Sequence, residues 1–284
     1  MEIRNVLVIG SGTMGRGIAT VCALAGFDTT VTDVADEILV TAKNEVGEML
    51  ARRVDAGKLS REEGEDAFAR IRFLSDLESG AREADLIIEA VPEDLELKRE
   101  LFSQVDLFCG ADTILASNTS SISITELAKN VEKRGNFIGL HFFNPVPVMK
   151  LLEIVVGERT IDETVETCRR FAERIGKEAI VVRDSPGFAT SRLGLAIGLE
   201  AIRMLEEGVA SAEDIDRAMA LGYRHPMGPL RLTDLVGLDV RLGIAEYLFS
   251  TLGPRFEPPR LLRRMVEEGK LGKKTGRGFY SWEE

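Results

Sequence analysis

The sequence predicts an α/β domain with a mostly parallel sheet and a helical-arm insertion, followed by an all-α domain. Three observations carry this. Val6-Leu7-Val8-Ile9 is a short apolar run ending in glycine, the pattern of a strand buried on both faces. From Asp85 to Val182, short apolar runs alternate with charged helical stretches, as in a parallel sheet covered by helices. Beyond Val182 only helical patterns remain.

The elements follow in order. Gly10-Ser11-Gly12-Thr13-Met14-Gly15 succeeds the first strand at once. A helix with Ile18, Val21, Cys22 and Ala25 at helical spacing then runs to Gly26, and Phe27 to Asp33 reads as the next strand. Residues 36–56 and 60–70 read as two helices joined at Gly57-Lys58-Leu59-Ser60, an exposed and charged arm. Ser60 with Glu63 three residues on is a capping-box signature. Strands are expected at 85–90, 113–116, 136–141, 151–156 and 179–182, with helices near 94–108, 124–130 and 162–175. Asp184-Ser185-Pro186-Gly187 is turn chemistry. It divides an expected sheet domain, residues 1–183, from an expected helical domain, residues 184–284. Helices are expected there at 188–207, at 212–221 behind Ser211 as N-cap, at 230–252 and at 259–269.

The chain has 284 residues, 44% of them hydrophobic and 29% charged, enough for a packed core without staples. Its net charge of −11 argues against nucleic acid or an anionic membrane as partner. Cys22, Cys109 and Cys168 lie far apart, form no CxxC and read as small buried side chains in a reducing compartment. With two histidines in the chain, no resident metal is expected. No run of about 18 apolar residues reads as a membrane span. The N-terminus does not read as a signal peptide, so a soluble, cytoplasmic protein is expected.

A lone GxGxxG is weak evidence, but here a buried strand precedes it and a helix follows. Gly10 permits the tight turn, Gly12 lets a pyrophosphate approach the backbone, and Gly15 lets helix and strand pack closely. The free N–H groups of the helix N-terminus suit phosphates. This is a Rossmann-type dinucleotide turn. Asp33, 18 residues beyond Gly15, suits a ribose 2′-hydroxyl and would repel a 2′-phosphate, so NAD is expected over NADP.

Hydride transfer from a carbon bearing a hydroxyl needs a base for the hydroxyl proton, and histidine is the natural choice. His141 ends an expected strand, where ligands bind in such sheets. Glu153 follows 12 residues on, and a strand–turn–strand path would return it beside the imidazole to orient it. His225, in His225-Pro226-Met227-Gly228-Pro229, reads as structural.

The segments GSGTMGRGIA (10–19), ASNTSS (116–121), HFFNPVPVMKLLE (141–153), DSPGFATSRL (184–193), HPMGPLRLTDLVGLD (225–239) and KKTGRGFY (273–280) occur in one order along the chain. Together they resemble the L-3-hydroxyacyl-CoA dehydrogenase family over essentially the whole length. The resemblance implies NAD-dependent, reversible oxidation of a 3-hydroxyacyl-CoA, with butyryl-type short chains expected. It implies His141 as general base held by Glu153, and Ser120 and Asn144 at the substrate. It also implies Asp33, Glu93, Lys98, Ser120, Asn144 and Lys274 around the cofactor. The arm would shelter coenzyme A, and the second domain would form a homodimer.

Two departures accompany the resemblance. Many relatives carry asparagine where this chain has Ser191, and a hydroxyl offers one donor where an amide offers two. The arm keeps Arg52 at one position where relatives carry lysine but has Ala56 at another, with Lys58 nearby. Arg52, Arg53 and Lys58 are each open as the source of charge for the coenzyme A phosphates, with Arg52 and Lys58 the expected pair. A dehydrogenase of free hydroxy acids on the same fold, or a non-catalytic NAD-binding protein, are the competing readings.

Overall fold

The apolar run near the N-terminus forms β1 (Asn5–Ile9), the strand from which the sheet grows in both directions. The computed structural model describes residues 2–282. It divides into two units between Ser185 and Pro186.

In the first unit, β1 leads into α1 (Thr13–Leu24) and β2 (Asp28–Thr32). The arm helices are α2 (Asp36–Asp55) and α3 (Arg61–Ala69), followed by β3 (Ile71–Phe73), α4 (Leu77–Glu83) and β4 (Leu86–Glu89). Then come α5 (Leu95–Phe108), β5 (Ile114–Ser117), α6 (Ile124–Leu127), β6 (Phe137–Phe142), β7 (Leu151–Val156), α7 (Asp162–Arg174) and β8 (Glu178–Arg183). The eight strands stand in the order β3-β2-β1-β4-β5-β6-β7-β8. All adjacent pairs are parallel except β6 and β7, which are antiparallel. The order reverses beside β1, so a crevice opens at the strand ends between β1 and β4.

Local chemistry explains the boundaries. The Ser60 hydroxyl accepts from Glu63 N, and the Glu63 carboxylate accepts from Ser60 N, a complete capping box at α3. Asp94 caps α5 by accepting from Leu97 N. Leu7, Leu86, Ile87, Ile88 and Leu115 are wholly buried, each contributing about 1.5–3 kcal/mol. A side chain at Gly15 would put its Cβ 1.8 Å from the Gly10 carbonyl oxygen, so only glycine lets α1 lie this close to the turn.

Three sequence expectations are corrected. β3 and α4 occupy a stretch to which the sequence reading assigns no element, because a three-residue strand with Arg72 at its centre carries too little periodicity to register. The arm is not wholly exposed: Leu39, Ala42, Val46 and Leu50 on one face of α2 are buried, Leu39, Val46 and Leu50 within the main core cluster. The expected helix 230–252 is two helices, split at Gly237 with φ of +103°.

The second unit contains α8 (Thr190–Glu206), α9 (Ala212–Gly222), α10 (Pro229–Val236), α11 (Leu238–Leu252) and α12 (Arg260–Glu267). Leu195, Leu199, Ile202, Leu230, Leu238, Leu248 and Leu262 form its core. Two buried carboxylates tie its polar backbone. Asp216 accepts from Leu230 N, Arg231 N and the Tyr280 hydroxyl, each at 2.8 Å, and so caps α10. Asp234 accepts from Phe279 N at 2.9 Å, Tyr280 N at 3.0 Å and Trp282 Nε1 at 2.8 Å. Gly228 and Gly278 lie where a Cβ would strike these carboxylates. That accounts physically for the glycine of HPMGP and the second glycine of GRGFY.

Candidate active site

The dinucleotide turn sits where β1 meets α1. Gly12 is the N-cap of α1 with no side-chain cap, and the first turn holds no acidic residue. A Cβ built at Gly12 meets nothing within 4 Å, so the space beside the turn is open. Gly10 has φ of +96°, and its N–H donates to the Thr32 carbonyl, bringing the end of β2 against the turn. Asp33 follows. Its Oδ2 accepts from Ser11 N and the Ser11 hydroxyl, both at 2.7 Å, and its Oδ1 from Val34 N at 2.8 Å. Burial raises its pKa, but the Ser11 and Val34 hydrogen bonds outweigh that and hold the carboxyl below its ordinary value. A pre-ionised carboxylate beside uncapped helix N–H groups fits the ribose and pyrophosphate of NAD. Asp33→Ala is expected to weaken NADH binding about tenfold or more, the loss of a charge-assisted hydrogen bond, read by fluorescence titration. Unchanged affinity would remove Asp33 from the ribose site.

His141 and Glu153 are a register pair across the antiparallel β6–β7 ladder. Their side chains share one face, and His141 Nδ1 lies 2.7 Å from Glu153 Oε2. The imidazole is 5% exposed and the carboxylate 0%, so their interaction is little screened by water. With a carboxylate at Nδ1, the hydrogen bond places the neutral ring's proton there and leaves Nε2 as acceptor. The Phe143 ring packs 4.4 Å from the imidazole.

Ser120 and Asn144 stand on the loops after β5 and β6. Asn144 is exposed and Ser120 half-buried. Ser120 N donates to Glu93 Oε1 at 3.0 Å, and that oxygen also receives the Thr119 hydroxyl at 2.5 Å and Ser121 N at 3.2 Å. Glu93 therefore shapes the loop that carries Ser120. Lys98 is 1% exposed, with Nζ 2.5 Å from Glu89 Oε1 and 3.3 Å from Glu93 Oε2.

Sequence reasoning missed two groups here. Glu89 is wholly buried at the end of β4, and it also accepts from the Ser117 hydroxyl at 2.6 Å. Burial pushes its carboxyl up, opposed by Lys98 and Ser117. Asn118 Oδ1 accepts from Phe142 N at 2.9 Å and so fixes the residue after His141. A carboxylate ending an apolar strand was the available signal for Glu89.

Of the remaining expected site residues, Arg52 is exposed and pairs with Glu48 at 3.3 Å, and Lys58 is exposed. Ser191 and Lys274 belong to the second unit. Ser191 is half-buried in the first turn of α8, and Lys274 pairs with Asp239 at 2.6 Å. Among the described residues no cluster of three or more His, Cys, Asp or Glu could hold a metal ion.

The family model for the 3-hydroxyacyl-CoA dehydrogenase NAD binding domain matches residues 5–185, and the model for the C-terminal domain of the same family matches residues 187–282. A Bacillus subtilis protein named "Probable 3-hydroxybutyryl-CoA dehydrogenase" is 46% identical, covering 100% of this chain and 99% of that one. The solved structure of FadB2 from Mycobacterium tuberculosis matches with a TM-score of 0.96 at 43% identity, and (S)-3-hydroxybutyryl-CoA dehydrogenase from Ralstonia eutropha with 0.95 at 41%. Both cover 100% of each chain.

Proposed function

This chain belongs to the 3-hydroxyacyl-CoA dehydrogenase family, and from that premise we propose that His141 is the general acid/base for short 3-hydroxyacyl-CoA thioesters. The chain is an NAD-dependent oxidoreductase. The observation that carries the catalytic reading is the buried Glu153 carboxylate 2.7 Å from His141 Nδ1. NAD, when bound, supplies the acceptor for the hydride leaving C3. His141 Nε2 takes the proton of the C3 hydroxyl, and Glu153 stabilises the imidazolium that results. In the reverse direction the same imidazolium returns the proton to the oxygen of the ketone. Ser120 and Asn144, on adjacent loops, hold that oxygen and the thioester. Lys98 and Glu93 support the cofactor side through the loop of Ser120.

A butyryl-length acyl group is the expected substrate, in keeping with the named activity of the Bacillus and Ralstonia relatives. The test is NADH consumption with acetoacetyl-CoA, run beside NADPH, a longer 3-ketoacyl-CoA and free acetoacetate. Rapid turnover of the short thioester with NADH alone is expected. Turnover of the free acid in preference to the thioester would overturn the thioester reading.

Self-association through the second unit is part of the same reading. Leu230 and Leu238 are wholly buried in the unit's own core. Leu232, Leu235 and Val236 keep 39–41% exposure, and Leu193 keeps 65%. This apolar exposure supports a homodimer. Sedimentation at micromolar concentration should give a dimer, and a monomer alone would refute it. No helix among the described residues is long and apolar enough to cross a membrane. Three buried free cysteines favour a reducing, cytoplasmic compartment.

A further inference from the structure

Glu89 is the last residue of β4, wholly buried where the strand order of the sheet reverses. It stands in register with Ile9 of β1 on one side and Ser117 of β5 on the other. β1 leads into the dinucleotide turn, and β5 leads into the loop that carries Ser120. Three donors from three segments meet on its carboxylate. Oε1 accepts from Val91 N at 2.8 Å and Lys98 Nζ at 2.5 Å, and Oε2 accepts from the Ser117 hydroxyl at 2.6 Å. Burying a charge this completely is costly, and proton transfer at His141 makes no direct use of it.

Each donor belongs to a part of the site. Val91 follows Ala90, whose carbonyl oxygen would lie 2.7 Å from a Cβ at Gly10, so this turn packs on the glycine loop. Ser117 Oγ also accepts from Thr119 N at 3.2 Å, at the base of the Ser120 loop. An ammonium has three N–H groups, and Lys98 Nζ has three acceptors. They are Glu89 Oε1, the Val91 carbonyl at 3.2 Å and Glu93 Oε2 at 3.3 Å, so the ammonium sits closer to Glu89 than to Glu93. Glu93 keeps Oε1 for the Thr119 hydroxyl, Ser120 N and Ser121 N. Without the Glu89 charge, Glu93 would be the one carboxylate among the described residues within ion-pair distance of Lys98. Attraction little screened by water would then draw Glu93 toward Lys98 and off the loop.

We propose that Glu89 is a positioning residue for the Ser120 loop. By holding the Lys98 ammonium, it leaves Glu93 free to organise Thr119, Ser120 and Ser121. The effect on turnover rests on the reading above, in which Ser120 holds the substrate, whereas the link from Glu89 to the loop does not.

Amide hydrogen exchange in the full chain tests the link, read by mass spectrometry on short peptides spanning Ser120 and Ser121. Glu89→Gln removes the charge and keeps the size, and its amide can still accept from Val91 N and donate to Ser117 Oγ. Exchange at Ser120 and Ser121 should rise about tenfold or more, the loss of hydrogen bonds to a charged acceptor. Exchange on β1, β5 and β6 should stay within about twofold of wild type. Adding Lys98→Met removes the ammonium that draws Glu93 away, so the double variant should return to within about threefold of wild type. Should Glu89→Gln fail to fold, as judged by circular dichroism, Glu89→Asp takes its place. It draws the charge back by one methylene, with a smaller rise expected at the same two amides. Turnover of acetoacetyl-CoA by Glu89→Gln should fall about tenfold or more through misplacement of Ser120. Unchanged exchange at Ser120 and Ser121 in a folded variant, a rise spread evenly over the sheet, or no recovery in the double variant overturns the proposal. A selective and reversible rise with normal turnover would uphold the link and remove Ser120 from the reaction.

Discussion

Replacing His141 by Gln is expected to lower turnover by about 10²–10⁴-fold, the range supplied by one positioned general acid/base. Glutamine fills much of the imidazole's space and can still donate toward Glu153, but it takes no proton at neutral pH. NADH affinity should stay within about twofold, because the residues expected to hold the dinucleotide lie at the Gly10–Gly15 turn and Asp33. Stopped-flow turnover with acetoacetyl-CoA and a separate NADH titration measure the two quantities. Turnover within about tenfold of wild type would remove His141 from proton transfer. A parallel collapse of NADH affinity would instead indicate that the substitution had disturbed the sheet. Glu153 is wholly buried on β7, so the variant must keep a hydrogen-bond donor facing it. This is why His141→Gln is a better test than His141→Ala.

The second large effect is on stability. Asp234 is 1% exposed and accepts three hydrogen bonds from the chain between Phe279 and Trp282. Asp234→Ala leaves those donors without an acceptor, two of them backbone N–H groups. Buried donors so stranded cost about 1–3 kcal/mol each, and the sum should be roughly 3–5 kcal/mol because the segment can partly reach water. A fall in Tm on the order of 10 °C follows. Asp234→Asn retains one acceptor oxygen and should lose less. Thermal unfolding followed by circular dichroism measures both. A Tm for Asp234→Ala within about 2 °C of wild type would mean that the carboxylate does not hold the segment. Arg231 packs its guanidinium over the Tyr280 and Trp282 rings, at 5.3 and 4.9 Å, and adds to the same attachment.

Signals confined to a few neighbouring residues were readable without coordinates. The apolar run before Gly10 marks a doubly buried strand because both its faces lack polar side chains. Ser60 and Glu63 mark a helix start because the reciprocal hydrogen bonds span only three residues. The alternation of strands and helices from Asp85 to Val182 implies a parallel sheet because a helix must return the chain to the same end. By the same logic β3 escaped notice. Its three residues are held by pairing with β2, which sequence does not display. The break at Gly237 escaped too, since glycine inside an apolar pattern is compatible with a continuous helix until its φ is known.

Local pattern by itself determined the fold class and the preference for NAD, and the resemblance of several ordered motifs to a known family pointed to the family. Each depends on spacing that survives in one dimension. Tertiary structure alone decided which polar groups lose water and what they then meet. Glu89 acquires Lys98 and Ser117 from α5 and β5, and Asp234 acquires the chain at 279–282. Of three neighbouring arm cations, the one turned inward is Arg53, while Arg52 and Lys58 stay in solvent. Desolvation makes a charge expensive and a partner necessary, and desolvation is a property of packed surfaces brought together from distant parts of the chain.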